Sequence, residues 1–231
     1  MGSKDQNKGW KWGRQNLKRT KVLKINQQHP EEEIIDKAVE VFNQGGVVCF
    51  PTETVYGLGV KISDKLALKK LFLIKGRKKD SPFPIFLKSA EEVADFADNI
   101  NSFAKKLMDR FWPGPLTLIF KSKLKNLSPY LLKHNKIGIR VSSSVLAQRL
   151  VQEIGEPITA TSANLSGEKP CVSFQKARKV FWGKADLILD GGEIKSNAVS
   201  TVLDASGKKA VLIREGIIPL TKIKKVVPQV L

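Results

Sequence analysis

"GGVVCFPTETVYGLGV" (residues 45–60) joins an apolar run to a polar cluster. Val47, Val48, Cys49 and Phe50 are of strand type, and the glycine pair ahead of them ends a helical pattern. Pro51 then leads into Thr52, Glu53 and Thr54, followed by Tyr56-Gly57-Leu58-Gly59. A strand of this apolarity is buried, so its polar end needs partners or a ligand.

Working outward, the pattern alternates between helix and strand. Pro30 and Glu31-Glu32-Glu33 open a helix whose face is Ile34, Ile35, Ala38, Val41 and Phe42. Asp64 caps a second helix carrying Leu66, Leu71, Phe72 and Ile74. "FPIFL" (83–87) reads as a strand, 90–97 and 102–111 as helices, "WPGP" (112–115) as a turn and "LTLIF" (116–120) as a strand. "IGIRV" (137–141), a helix from Ser144 to Ile154 and "PITAT" (157–161) follow. A helix near 174–182 precedes the strands "DLILD" (186–190), "VSTVLD" (199–204) and "AVLIR" (210–214). Helices and strands mix without strict alternation. The expected fold is one α/β domain, a twisted mixed sheet with packed helices. No internal repeat or second-domain boundary is visible.

The chain has 231 residues, 42% of them apolar, enough for a substantial core. No apolar run reaches the ~18 residues of a membrane span. Two distant cysteines, Cys49 and Cys171, suggest neither a zinc site nor a disulfide framework, and a reducing cytoplasmic setting is expected. With only His29 and His134, histidine chemistry has little material. The net charge is +18: residues 1–30 hold eight basic side chains against Asp5, and the remainder 32 against 21 acidic ones. Such an excess favours phosphates and nucleic acid, or serves solubility alone. Residues 1–24 read as a basic, flexible tail ahead of a domain over 25–231; a mitochondrial targeting segment is the alternative.

Four polar clusters sit at the ends of apolar elements. They are Thr52-Glu53-Thr54 with Tyr56; "KGRKKDSP" with Lys75, Arg77, Lys78 and Lys79; "ATSANLSG" with Thr161, Ser162, Asn164 and Ser166; and "VSTV" with Ser200 and Thr201, near Arg214. Lys75 and Arg77 are donors suited to a phosphate chain. The small hydroxyls and Asn164 beside Gly167 permit close approach of an anion. Arg140, inside "IGIRV", needs a partner: an internal acid, or the carboxylate of a ligand. No Ser-His-Asp set, Cys-His pair or carboxylate pair is present, and neither the P-loop nor the dinucleotide glycine pattern occurs. The chemistry this allows is the holding of phosphates and a carboxylate. The structural alternatives are a solvated basic loop for "KGRKK", a capped turn for "TSANLSG" and a structural acceptor for Glu53.

"FPTETVYGLG", "KGR" with its lysine twenty-one residues after Thr54, "WPGPLTLIF", "GIRV", "TSANLSG", "STVLD" and "LIREG" occur in that order across roughly residues 31–217. As a set they resemble the YrdC-like threonylcarbamoyl-AMP synthases. That resemblance implies a twisted sheet around a concave basic cavity. It implies an enzyme, a nucleotidyltransferase, joining L-threonine, bicarbonate and ATP, with Mg²⁺ carried on ATP, into threonylcarbamoyl-AMP and pyrophosphate. A partner complex would then transfer the threonylcarbamoyl group to tRNA beside the anticodon. By the same resemblance Thr54, Arg140 and Thr161 contact threonine, with Pro51 and Gly57 fixing the turn at Thr54. Lys75, Arg77, Ser81, Ser162, Asn164, Ser200, Thr201 and Arg214 contact the nucleotide, Lys75 and Arg77 stabilising phosphate charge. Many relatives carry asparagine and histidine where this chain has Ser81 and Phe86, and Phe86 cannot donate a hydrogen bond. Longer relatives add a C-terminal domain, and this chain resembles the short form. The rival readings are a non-catalytic RNA-binding module using the same basic face, and a carbamoyl-transfer module of the kind found in much longer, cysteine-rich maturation proteins.

Overall fold

The structure, a computed structural model, describes residues 20–77, 81–196 and 198–231. The basic residues Lys78 and Lys79, and most of the N-terminal tail, lie outside the described residues. In chain order the elements are β1 (Lys21–Lys24), α1 (Glu32–Asn43), β2 (Val48–Pro51), β3 (Tyr56–Gly59), α2 (Lys65–Lys75), β4 (Ile85–Phe86), α3 (Val93–Phe96), α4 (Ser102–Phe111), β5 (Leu116–Lys121), β6 (Lys136–Arg140), α5 (Val145–Ile154), β7 (Ile158–Thr159), β8 (Thr161–Ser162), α6 (Phe174–Phe181), β9 (Leu187–Asp190), β10 (Thr201–Asp204), β11 (Val211–Arg214) and α7 (Leu220–Val226). The fold is α/β, as expected, but its strands form two mixed sheets: β1-β9-β2-β3-β8 and β11-β10-β5-β6-β4-β7.

β2 is central, parallel to β9 and antiparallel to β3. Both its faces are covered, which is why it reads as an unbroken apolar run. Val48 and Phe50 pack with α1 and α5, while Val47 and Cys49 belong to the larger core with Leu58, Leu71, Phe83 and Ile139. The alternation is the period of two of a strand.

Three local readings differ from the sequence expectation. Gly57 does not form the turn. The turn is Thr52–Val55, where Thr52 Oγ1 donates to the Val55 carbonyl at 2.7 Å and accepts from Thr54 N–H at 3.2 Å. Gly57 lies in β3, opposite Phe50 and Ser162. Glycine disfavours strands, so "YGLG" hides as one; yet a Cβ at Gly59 would lie 2.8 Å from Phe50 Cε1, and only glycine fits there. Second, "PITAT" is two short strands on different sheets. β7 pairs with β4 and β8 with β3, and between them Ala160 N–H donates to the Pro84 carbonyl at 2.7 Å. Third, the expected tail boundary at residue 24 moves. Lys21–Lys24 runs parallel to Leu187–Asp190, and Thr20 Oγ1 donates to the Ala185 carbonyl at 2.7 Å. "KVLK" has too few apolar residues to signal a strand; its outward lysines suit a sheet edge.

Helix ends set the reach of the basic side chains. Asp64 caps α2 by accepting from Leu66 and Ala67 N–H at 2.9 and 2.8 Å, worth about 1 kcal/mol. Gly76, at φ 59°, closes the same helix in the left-handed conformation. Lys75 therefore ends α2 and Arg77 emerges from its turn. Among the described residues no helix is long and apolar enough to cross a membrane.

Candidate functional site

A cavity of about 840 Å³ brings together the β2–β3 turn, the end of α2, the β7–β8 segment, Arg140 of β6 and Arg214 of β11. Of the residues expected there, Thr54, Lys75, Arg77, Ser81, Arg140, Thr161, Ser162, Asn164, Ser200 and Arg214 all line it. Thr201 does not. It is fully buried, and its Oγ1 donates to the Ile218 carbonyl at 2.7 Å while accepting from Gly216 and Ile218 N–H. Its role is to tie the 216–218 segment to β10. Within β10, Val202 and Asp204 line the cavity while Thr201 and Leu203 are fully buried on the other side, the period of two of a strand.

Lys75 is buried, and its ammonium is held by protein oxygens. Nζ donates to the Ser162 carbonyl, the Asn164 carbonyl (3.0 Å) and Asn164 Oδ1 (3.2 Å). Ser162 Oγ donates to the same Oδ1 at 2.6 Å, and Asn164 Nδ2 donates to the carbonyls of Leu165 and Glu168. Lys75 thus builds the "TSANLSG" loop from within. Burial, aided by the neighbouring Arg77 charge, pulls Lys75 down to about 7. Arg77 lies 4.9 Å from the Phe83 ring centroid and donates from Nη1 to Thr161 Oγ1 at 2.9 Å. Burial, then Arg214, brings it down to about 10, still cationic at neutral pH. Arg214 is lowered by burial and then by Arg140; its Nε and Nη2 donate to the Ser200 carbonyl at 3.2 and 2.9 Å. Lys75, Arg77 and Arg214, each depressed first by burial, therefore share the cavity wall with Arg140.

Arg140 has the internal acid that a buried guanidinium requires. Nη2 donates to Glu53 Oε1 at 2.6 Å, Nε to the Gly114 carbonyl at 3.0 Å, and the guanidinium lies 5.4 Å from the Phe86 ring centroid. Phe86 thus supplies a face rather than a donor. Glu53 also accepts from Ser142 Oγ (2.6 Å) and Ser143 N–H (3.0 Å). Burial would raise its carboxyl, but Arg140 and these hydrogen bonds outweigh it and hold Glu53 below the usual range. Saturated in this way, Glu53 is a structural acceptor and a poor base. Arg140 Nη1 makes no hydrogen bond with the described residues and belongs to a cavity-lining side chain.

Thr52, singled out in its polar cluster but given no ligand role, lines the cavity with its Oγ1 2.9 Å from that of Thr54; the basic segment Lys133, His134 and Lys136, along another part of the wall, was missed. Lys136 pairs with Asp204 at 2.7 Å. The signal available was "KHNK", a turn with His134 and Asn135 at positive φ.

The Lys75 shift has a measurable consequence. A lysine near 7 when folded and ~10.4 when unfolded carries fewer protons in the native state between those values. The penalty is present in full below about pH 7 and is relieved as pH rises towards 10.4. Urea unfolding of wild type minus Lys75→Met is expected to become more favourable to wild type by up to about 1.4 kcal/mol per pH unit above 7. A flat difference between pH 7 and 9 would contradict the shift.

Comparison with known proteins decides the family. The family model for Sua5, YciO and YrdC, described as telomere recombination, matches residues 40–216. The chain belongs to the Sua5/YciO/YrdC family. It is 37% identical over 202 residues to the threonylcarbamoyl-AMP synthase of Pyrococcus abyssi, covering 87% of this chain and 59% of that protein. The crystal structure of P. abyssi Sua5 complexed with L-threonine superposes with a TM-score of 0.86 at 35% identity, over 92% of this chain and 63% of that one. The crystal structure of Escherichia coli YciO gives 0.81 at 29% identity, over 88% and 99%. This family member thus spans about three fifths of the Pyrococcus synthase and nearly all of YciO.

Proposed function

We propose that this chain is an L-threonylcarbamoyladenylate synthase. The observation that carries the reading is the set of four cations, buried Lys75 and Arg140 with half-buried Arg77 and more exposed Arg214, around a cavity large enough for a nucleotide and an amino acid. Relatives named threonylcarbamoyl-AMP synthase, and the threonine bound to P. abyssi Sua5, point to the amino acid.

In this reading the threonine amine and bicarbonate give a carbamate and water. A carbamate oxygen attacks the α-phosphorus of ATP, and the bond to the leaving pyrophosphate breaks. Arg77 and Arg214 offset charge on the phosphates. Lys75 acts beside them while holding the Ser162–Asn164 loop in place, and Ser81 and Ser200 contribute hydroxyls. Arg140, oriented by Glu53 and Gly114, offers Nη1 to the threonine carboxylate near Thr54 and Thr161. Mg²⁺ enters as Mg–ATP, part of the substrate. The product would pass to a threonylcarbamoyl-transferring complex acting on tRNA, in the cytoplasm.

The test is pyrophosphate release with threonine, bicarbonate and ATP omitted in turn. Release is expected only with all three. Equal release without threonine would leave a plain ATPase; none at all, with RNA bound in the same cavity, would favour the binding-module reading.

A further inference from the structure

α6 and the residue that ends it form a surface the synthase reading does not use. Trp182 is the only Phe, Trp or Tyr among the described residues that is left exposed, at 43%. Arg178, one turn earlier, places its guanidinium 5.1 Å from the Trp182 ring centroid. Lys179 and Lys184 are exposed on either side of it in sequence, and α6 itself contains no acidic residue. The nearby Asp186 is already paired with Lys70 at 2.5 Å. Basic residues in a last helical turn complement the helix dipole, but that gives no reason to leave an indole in water.

The chain enters the described structure at this same place. Thr20 Oγ1 donates to the Ala185 carbonyl at 2.7 Å and accepts from Gly183 N–H at 2.7 Å. The nineteen residues before it carry six basic side chains against one acidic. Thr20 is thus held at Gly183, the residue after Trp182. α6 packs on β9, beside the β1 edge of the five-stranded sheet, whereas β8, at the other edge, lines the cavity.

We infer that Trp182, Arg178, Lys179 and Lys184 form a docking platform for a single-stranded RNA segment, separate from the cavity. A flat indole backed by a guanidinium stacks a base, and flanking lysines meet the phosphates on either side of it. Double-stranded nucleic acid, with its bases already stacked, does not use the indole. The partner is thus a strand with unpaired bases, as in a loop.

The experiment is fluorescence anisotropy of a labelled twelve-nucleotide single-stranded RNA of mixed sequence with the full chain, across a salt series. Trp182→Ala is expected to weaken binding about 5- to 100-fold with an unchanged salt slope. Lys179→Glu with Lys184→Glu is expected to flatten that slope by about 1.4 log units per log salt, two phosphates' worth. Pyrophosphate release and melting temperature should stay at wild-type values in both variants. Unchanged affinity of Trp182→Ala overturns the proposal. So does equal binding of a blunt duplex with equal sensitivity to Trp182→Ala, or binding of phosphatidylserine vesicles but not RNA.

Discussion

Arg140→Ala is expected to lower the unfolding free energy by about 3–5 kcal/mol, whatever it does to ligand binding. The reason is Glu53. With Arg140 gone, a largely buried carboxylate keeps Ser142 Oγ and Ser143 N–H but loses the charge that offsets its desolvation. The Gly114 carbonyl loses its 3.0 Å donor as well, and Phe86 loses the cation near its ring. Glu53→Gln is the companion variant. Alone it leaves a buried guanidinium without its anion; combined with Arg140→Ala it removes both charges. Urea denaturation of the four proteins should give a coupling of about 1–3 kcal/mol, the double variant being more stable than the sum of single losses implies. Strict additivity would mean that the pair at 2.6 Å does not act as a pair. Calorimetry with threonine on whatever remains folded reads the separate role proposed for Nη1.

Gly216→Ala is expected to damage both the fold and the part of the cavity around Arg214, where the nucleotide is proposed to bind. A Cβ there would lie 2.2 Å from the Val199 carbonyl oxygen and 2.6 Å from the Ser200 carbonyl carbon. These are backbone atoms, so no rotamer change relieves the clash, and the strand must move. Overpacking of this kind costs about 1–3 kcal/mol or more. The displaced strand holds the Ser200 carbonyl, which accepts from Arg214 at 2.9 and 3.2 Å, and Gly216 N–H donates to Thr201 Oγ1 at 3.0 Å. Loosening Arg214 should cost ATP affinity the value of a charge-assisted contact, about 10- to 100-fold. Gly207→Ala is the control, since its Cβ would meet only the Lys209 carbonyl oxygen, at 3.8 Å. Melting curves and ATP titrations of the two variants check this. Wild-type ATP affinity in a folded Gly216→Ala protein would separate Gly216 from the site.

Local chemistry made much of this protein legible from its sequence alone. Asp64 before a helical apolar pattern is a cap because its carboxylate meets free N–H groups two and three residues on. "GVVCF" is a central strand because only burial on both faces tolerates so unbroken an apolar run. The polar clusters at element ends announced groups that need partners, since side chains such as Lys75 and Arg140 are costly to bury alone. Tertiary structure alone decided who those partners are. Glu53 and Arg140 lie 87 residues apart, and so do Lys75 and Ser162. Glu53 follows β2 of the five-stranded sheet and Arg140 ends β6 of the six-stranded one, so only the packing of the two sheets brings them together, and only the pairing of β3 with β8 sets Ser162 in place. It was likewise tertiary packing that made "YGLG" a strand, through the space Phe50 and Phe42 need at Gly59, and that turned Thr201 away from the cavity while Ser200 faces it. Hydrogen-bond geometry along the chain is short-ranged and written in neighbouring residues; which distant acid neutralises a buried arginine depends on strand register, which no local pattern encodes.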